Sequence, residues 1–308
     1  MINRALIRLK VVQLVYAHYQ NPGKTPAQAE KELNFSLQKA YELYQELLSL
    51  LVELRHLALH RIEIQEERGG SVSPQAIYPD KALADNQLLT LLDGNEQLCA
   101  YREQHGSIWE DNTAIVRHLY KAIIGSEAYC AYLAEGNFSF DKDQDIIRQT
   151  YKTLVCGNKA IADHLEEHSL YWNDDKDIID SFVLKTIKRF DVASDGSTPL
   201  LPDYDSDADH DFALQLFHTT LQRADEIREL IRESSKNWEF QRLTFMDLII
   251  MQTALAEILT FSTIPLSVSI SEYVGIAQAY STPRSYVYVN GVVDTVAKRL
   301  RSEGLLMK

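Results

Sequence analysis

The sequence predicts an all-α protein made of packed helical bundles. Three observations carry this. Apolar residues recur at steps of three and four through long segments, the period of a helix face. Several of these segments open on Asp or Thr-Pro and are bounded by Gly or Pro, residues that start and stop helices. Between residues 69 and 205 no run alternates apolar and polar residues as a half-buried strand would.

Residues 3–20 read as a first helix, with Ala5, Leu9, Val12 and Tyr16 in one stripe and Arg4 and Arg8 sharing another side. No acidic residue precedes Glu30, so this helix, with Lys10, is basic. Asn21-Pro22-Gly23 is a turn. Thr25-Pro26 then starts a long helix, with proline at the first position where its missing N–H costs nothing. Leu33, Leu37, Ala40, Leu43 (or Tyr44), Leu47, Leu51, Leu54 and Ala58 carry the apolar stripe to about Glu66, and Gly69-Gly70 ends it.

Three further helices are expected, Asp111 to Ala134, Asp141 to His168 and Asp174 to Phe190, each opening on a capping Asp. Shorter segments occupy 79–92 and 96–104. Asp203, Asp205, Asp207, Asp209 and Asp211 alternate through an acidic linker that caps the next helix, Asp211 to Ser235. A calcium loop starting at Asp203 would need Gly sixth and Glu twelfth. Ala208 and Leu214 stand there, so no metal is expected.

The run from Leu243 to Phe261 is apolar on several faces, which places it inside a bundle or a membrane. Asp247, Gln252 and Glu257 point in three directions at 3.6 residues per turn, which lipid would not tolerate. It therefore reads as a bundle's central helix. Pro265 stops it. Ser269-Ile270-Ser271-Glu272 reads as the capping box of a short helix closed by Ser281-Thr282-Pro283. Residues 286–293 have two local readings. Asn290-Gly291 suits a hairpin turn, whereas Val289, Val292, Val293, Val296 and Leu300 keep helical spacing and favour a helix.

The net charge of −13 excludes a general nucleic-acid coat, because phosphate binding needs Lys and Arg. Bases nevertheless outnumber acids at both ends. The tail sets Arg284, Lys298, Arg299, Arg301 and Lys308 against Asp294 and Glu303. A local anion site is the natural consequence. Cys99, Cys130 and Cys156 lie far apart without metal spacing and read as reduced, buried thiols of a cytoplasmic protein. The pairs His56/His60 and His164/His168 lack an HExxH glutamate and read as surface histidines. No nucleophile elbow, phosphate loop, zinc motif or dinucleotide fingerprint is present, so no enzyme and no cofactor is expected. The basic start lacks a cleavage site, and no segment is long and uncharged enough to span a membrane.

Asn237-Trp238, Arg242, Met246-Asp247, Ala254, Glu257, Ile264-Pro265, Ser271-Glu272 and Tyr288-Val289-Asn290-Gly291-Val292 stand in characteristic order and spacing. So do Arg4, Arg8, Gln13, Leu14 and Tyr16 at the start. Together they resemble the NusB family of transcription antitermination factors, over roughly residues 1–20 and 210–303. The resemblance settles residues 286–300 for helix.

It implies NusB-like helical bundles and an additional helical region, dividing the chain into N-terminal helices (1–68), an inserted region (69–205) and a C-terminal bundle (206–308). It also implies a non-catalytic factor that binds short single-stranded boxA-like RNA with the ribosomal small-subunit protein NusE. Such a factor joins RNA polymerase antitermination complexes, notably on ribosomal RNA operons. The implied RNA-binding residues are Arg4, Arg8, Lys10, Tyr16, Arg284, Tyr288 and Lys298. Two departures stand out. The first helix is less densely basic than in many relatives, and Arg284 occupies a position that often carries an acid. Two other readings use the same fold. One is a protein-interaction module with the inserted helices as its surface. The other is an RNA-targeting subunit akin to the RNA-binding domains of ribosomal RNA methyltransferases, which would need a separate catalytic chain.

Overall fold

The computed structural model describes residues 1–67, 74–111, 113–204, 206–234 and 243–306. Gly69-Gly70, Asp205, Asn237-Trp238 and Arg242 of the sequence reading lie outside them. The described residues are helical, and their one strand-like feature is an isolated parallel bridge between Ile2 and Tyr204.

Helix α1 (Arg4–Gln20) is capped by Asn3, whose side chain accepts from the Leu6 N–H. Helix α2 (Pro26–Glu67) opens on proline as expected. After it come α3 (Pro74–Ala84), α4 (Gln87–Asp93), α5 (Glu96–His105) and α6 (Ile108–Asp111). The helix expected over 111–134 is instead α7 (Thr113–Ile124) and α8 (Glu127–Glu135). Gly125 breaks it, and Ser126 caps α8 by accepting from the Tyr129 N–H.

The helix expected over 141–168 also divides, into α9 (Phe140–Thr150), a π turn (Tyr151–Val155) and α10 (Lys159–His168). Gly157 takes φ +67°, which favours glycine, and Asn158 then caps α10. Caps here come from Ser139 and Asn158 rather than from the expected aspartates. After α11 (Lys176–Arg189), the predicted helix 211–235 is α12 (Asp207–Gln222) and α13 (Ala224–Ser234), broken at Arg223. The chain ends with α14 (Phe245–Thr260), α15 (Leu266–Tyr280) and α16 (Ser285–Ser302). Residues 286–300 are thus helical.

Helix α15 begins three residues before the expected capping box. Pro265 precedes it without a side-chain cap. Ser269, fully buried, gives its hydroxyl to Glu257 at 2.7 Å instead. A buried carboxylate needs donors more than an exposed helix end does.

The chain divides into two compact units, with the division falling inside α2. One unit is Met1 with residues 38–203. Its part of α2 buries Ala40, Leu43, Tyr44, Leu47, Leu51 and Ala58, and both tryptophans in the unit anchor to α2 carbonyls. Trp109 Nε1 donates to Glu46 O and Trp172 Nε1 to Lys39 O, each at 2.7 Å. Two expectations fail in this unit. His164 is buried, with its ring on Trp109 and its Nε2 3.1 Å from Ile108 O. Cys130 is exposed on α8.

The other unit comprises residues 2–37 and 204–308. Helix α14 is its centre, buried from Ile249 through Ile258 and packed by α1, α12, α13, α15 and α16. Asp247, Gln252 and Glu257 are buried and bonded, which is how a soluble bundle accommodates them. Gln252 donates to Thr220 O at 2.7 Å, Asp247 accepts from Ser281 and Ser285, and Glu257 accepts from Ser269 and Tyr273. No described helix is long and apolar enough to cross a membrane.

Candidate nucleic-acid interface

Helices α1 and α14 run antiparallel, and this separates the expected site residues into two groups. At one end Arg8 meets Glu257, and at the other Tyr16 meets Phe245, with ring centroids 5.4 Å apart. Twelve residues of helix span about 18 Å.

At the Glu257 end, Arg8 is 4% exposed. Its Nε donates to Glu257 Oε2 at 2.7 Å and its Nη2 to Oε1 at 2.9 Å, while Nη1 lies 3.5 Å from Glu272. Ser269 and Tyr273 donate to the same Glu257 carboxylate, the latter at 3.0 Å. Burial pulls the Arg8 pKa down, but the Glu257 hydrogen bond and charge outweigh it and hold it above the ordinary value. Burial and the Glu257 charge push the Tyr273 phenol well above its usual range. This is a closed core network, and Arg8 does not face solvent. Lys10 is likewise buried. Arg4 is half-exposed, bonded to Asp209 at 3.0 Å and stacked over Phe212 at 5.0 Å.

The Asp247 end is more open. Thr244 and Asp247 form the capping box of α14. The Asp247 carboxylate also accepts from Ser281 Oγ at 2.6 Å and Ser285 Oγ at 3.0 Å. Thr244 Oγ1 lies 3.2 Å from Ser281 Oγ. These bonds clamp the start of α16 to the start of α14. Arg284, exposed at that junction, makes no ion pair with a described residue. Tyr288, half-buried, lies one turn later, about 6 Å along the axis.

Lys298 lies about 21 Å beyond Arg284 on the same helix and bonds Asp294 at 2.6 Å. Arg299 is held by Glu233 and Glu303. Much of the basic excess at both ends of the sequence is therefore matched by carboxylates in the folded chain. Among the expected residues, Tyr16 packs on Phe245, Arg284 and Tyr288 stand at the start of α16 beside the Asp247 clamp, and Arg4, Arg8, Lys10 and Lys298 lie elsewhere.

Sequence reasoning missed two aromatics near Tyr16. Tyr19, three residues after Tyr16 on α1, lies 6.2 Å from Phe245 edge-on, with the Arg228 guanidinium over its ring at 4.4 Å. The 16/19 spacing already put both tyrosines on one helix face. Phe245 is hidden in the sequence by the apolar run it opens, although it is the first residue of α14 and 36% exposed. No group of three His, Cys, Asp or Glu among the described residues could hold a metal ion.

The NusB family model matches residues 178–298. The chain is 35% identical over 140 residues to the transcription antitermination protein NusB of Salinibacter ruber, covering 46% of this chain and 81% of that protein. With the protein of the same name from Geotalea daltonii it shares 32% over 132 residues, covering 43% and 88% respectively. With that of Koribacter versatilis it shares 38% over 92 residues, covering 30% and 63%. No solved structure matches. Asp247, Glu257 and Glu272 lie within the residues the family model matches, and the chain belongs to the NusB family.

Proposed function

We propose that the protein is a non-catalytic transcription antitermination factor. It binds boxA-like single-stranded RNA together with the ribosomal small-subunit protein NusE, and joins RNA polymerase complexes on ribosomal RNA operons. The observation that supports the reading is that Tyr16, packed on Phe245, and the turn carrying Arg284, bonded through Ser285 to Asp247, both lie at the first turn of α14. Aromatic faces beside an unmatched cation suit single-stranded RNA, whose unstacked bases and phosphates both need partners.

In this reading Arg284 holds a phosphate while Tyr288 and Tyr16 take bases. Arg4 and Lys298 provide outer phosphate contacts by exchanging their carboxylate partners for RNA. Arg8 and Lys10, being buried, serve by holding α1 in place.

Fluorescence anisotropy with a labelled boxA-like RNA, with and without the ribosomal partner, tests the reading. Binding that tightens with the partner is expected. With roughly three to five phosphates contacted, log affinity should fall with log salt at a slope of about −2 to −3.5. Absence of binding even with the partner would overturn it. Binding that survives Arg4→Ala combined with Arg284→Ala would move the site to residues 38–203.

A further inference from the structure

We infer that the recess between α3, α8 and the start of α9 binds a small organic cation of the alkylammonium class, with Tyr78, Tyr132 and Phe138 as its walls. The site lies in the unit of residues 38–203 and does not rest on the RNA-binding reading.

The recess has a volume of about 210 Å³. Pockets for drug-sized ligands run from about 300 to 1,000 Å³, so this one suits a single head group. Phe138, in the link between α8 and α9, meets both tyrosines. Its ring centroid lies 6.0 Å from that of Tyr78, inclined at 53°, and 5.1 Å from that of Tyr132, inclined at 60°. Rings inclined in this way make a concave surface rather than a flat one. The walls are also fixed before a ligand arrives. Tyr78 donates its hydroxyl to Leu133 O at 3.4 Å, and Tyr129 donates to Pro79 O at 2.8 Å, so α3 and α8 are tied at two points. Tyr132 is held by its own hydroxyl, which donates to Asp143 Oδ1 at 2.6 Å. Side chains so held have little conformational entropy left to lose on binding.

Charge decides which head group fits. Asp143 lines the recess and is 1% exposed. Its carboxylate accepts from Tyr132, from the Gln87 N–H at 2.8 Å and from Gln87 Nε2 at 3.4 Å. All are neutral donors, and Asp143 has no ion pair with a described residue. Burial, then the hydrogen bond to Asp143, push the Tyr132 phenol above its ordinary range, so it stays a neutral donor. Asp85, exposed just after α3, also lines the recess and has no basic partner among the described residues. Lys81 stands in the lining four residues earlier, is exposed, and makes no ion pair with Asp85. Two carboxylates against one ammonium leave a negative recess walled by ring faces, which attract cations through their quadrupoles. A planar guanidinium stacks on one ring face, whereas a rounded alkylammonium fills the angle between several.

The test follows amide NMR spectra of the full chain during titration with tetramethylammonium chloride. Parallel titrations use tert-butanol, a neutral molecule of similar shape, and sodium chloride. Tetramethylammonium should give saturable shifts around Tyr78, Tyr132 and Phe138, and should bind about tenfold more tightly than tert-butanol. Phe138→Leu keeps an apolar side chain without a π face and should weaken binding roughly 2- to 30-fold. Asp85→Asn should also weaken it by removing an attraction, and Lys81→Ala should strengthen it by removing a repulsion. All three substitutions fall on exposed side chains, and melting temperatures verify that the variants fold.

Equal affinity for tert-butanol, or wild-type affinity in Phe138→Leu, would make the recess an apolar pocket and overturn the assignment. Tetramethylammonium shifts no larger than those from sodium chloride would overturn it too, as would saturable shifts confined to residues away from the three rings.

Discussion

Arg8 and Glu257 form a two-pronged, buried ion pair in which the guanidinium fork meets both carboxylate oxygens at 2.7 and 2.9 Å. From sequence, Arg8 belongs to a basic helix facing RNA, and Glu257 is one polar residue in an apolar run. In the structure they stabilise each other, and Ser269, Tyr273 and Glu272 complete the shell. A charge this deep is tolerated only when its partner and its remaining lone pairs are supplied.

Removing one partner should therefore be severe. Arg8→Ala is expected to destabilise the unit by about 3–5 kcal/mol, because it leaves Glu257 buried and uncompensated. Arg8→Lys should also destabilise, since an ammonium cannot reproduce the fork. The double change Arg8→Met with Glu257→Leu should cost far less than Arg8→Ala. Urea denaturation of the four proteins measures this. A double variant no more stable than Arg8→Ala would show that packing, not charge, dominates there.

Asp247 carries the other end of the unit. Asp247→Ala removes the acceptor for Ser281, Ser285 and the Thr244 N–H, and should cost about 1–3 kcal/mol. The local effect should be larger than the global one. Hydrogen exchange is expected to quicken at the first turn of α16, next to Arg284 and Tyr288, more than at Val296–Leu300. Uniform loss of protection along α16 would contradict the clamp.

Glu46 should make the unit of residues 38–203 sensitive to pH. Burial raises its pKa from 4.5 to about 7, although the Tyr101 hydroxyl donates to it at 2.7 Å. The native state then holds a proton that the unfolded chain has lost. This stabilisation is full below about pH 4.5 and disappears as pH rises through about 7. Glu46→Gln keeps an acceptor for Tyr101 without the charge. It should flatten the profile between pH 5 and 8 and add on the order of 2–3 kcal/mol at pH 8. Thermal melts across this range decide the matter, and an unchanged slope in the variant would assign the pH dependence elsewhere.

Charge and stacking in the proposed RNA site should separate by salt. Arg284→Ala is expected to reduce the log–log salt slope by about 0.7. Tyr288→Ala should cost about 1–3 kcal/mol of binding with the slope nearly intact. Arg8→Lys, where it remains folded, should leave the slope unchanged because Arg8 faces Glu257. A slope change in that variant would return Arg8 to the phosphate contacts.

The sequence by itself determined the helical class, the ends of α1, α2 and α16, and the central place of α14. Those features are local or periodic: a 3.6-residue apolar pattern, a proline at a helix start, a polar residue that lipid would exclude. Breaks at Gly125, Gly157 and Arg223 escaped it, since the apolar period continues through them and only packing decides where a helix can turn. The family motif was also legible, but not what each of its residues does. Arg8 and Lys10 look like surface bases because charge is visible in a sequence and burial is not. Only the fold brings the buried carboxylate of Glu257 to Arg8 and clamps α16 onto Asp247. It also leaves Arg284 exposed and sets Tyr16 and Tyr19 behind Phe245. Long-range pairing of this kind is written in no local pattern. It arises because a buried charge must find its opposite, wherever in the chain that lies.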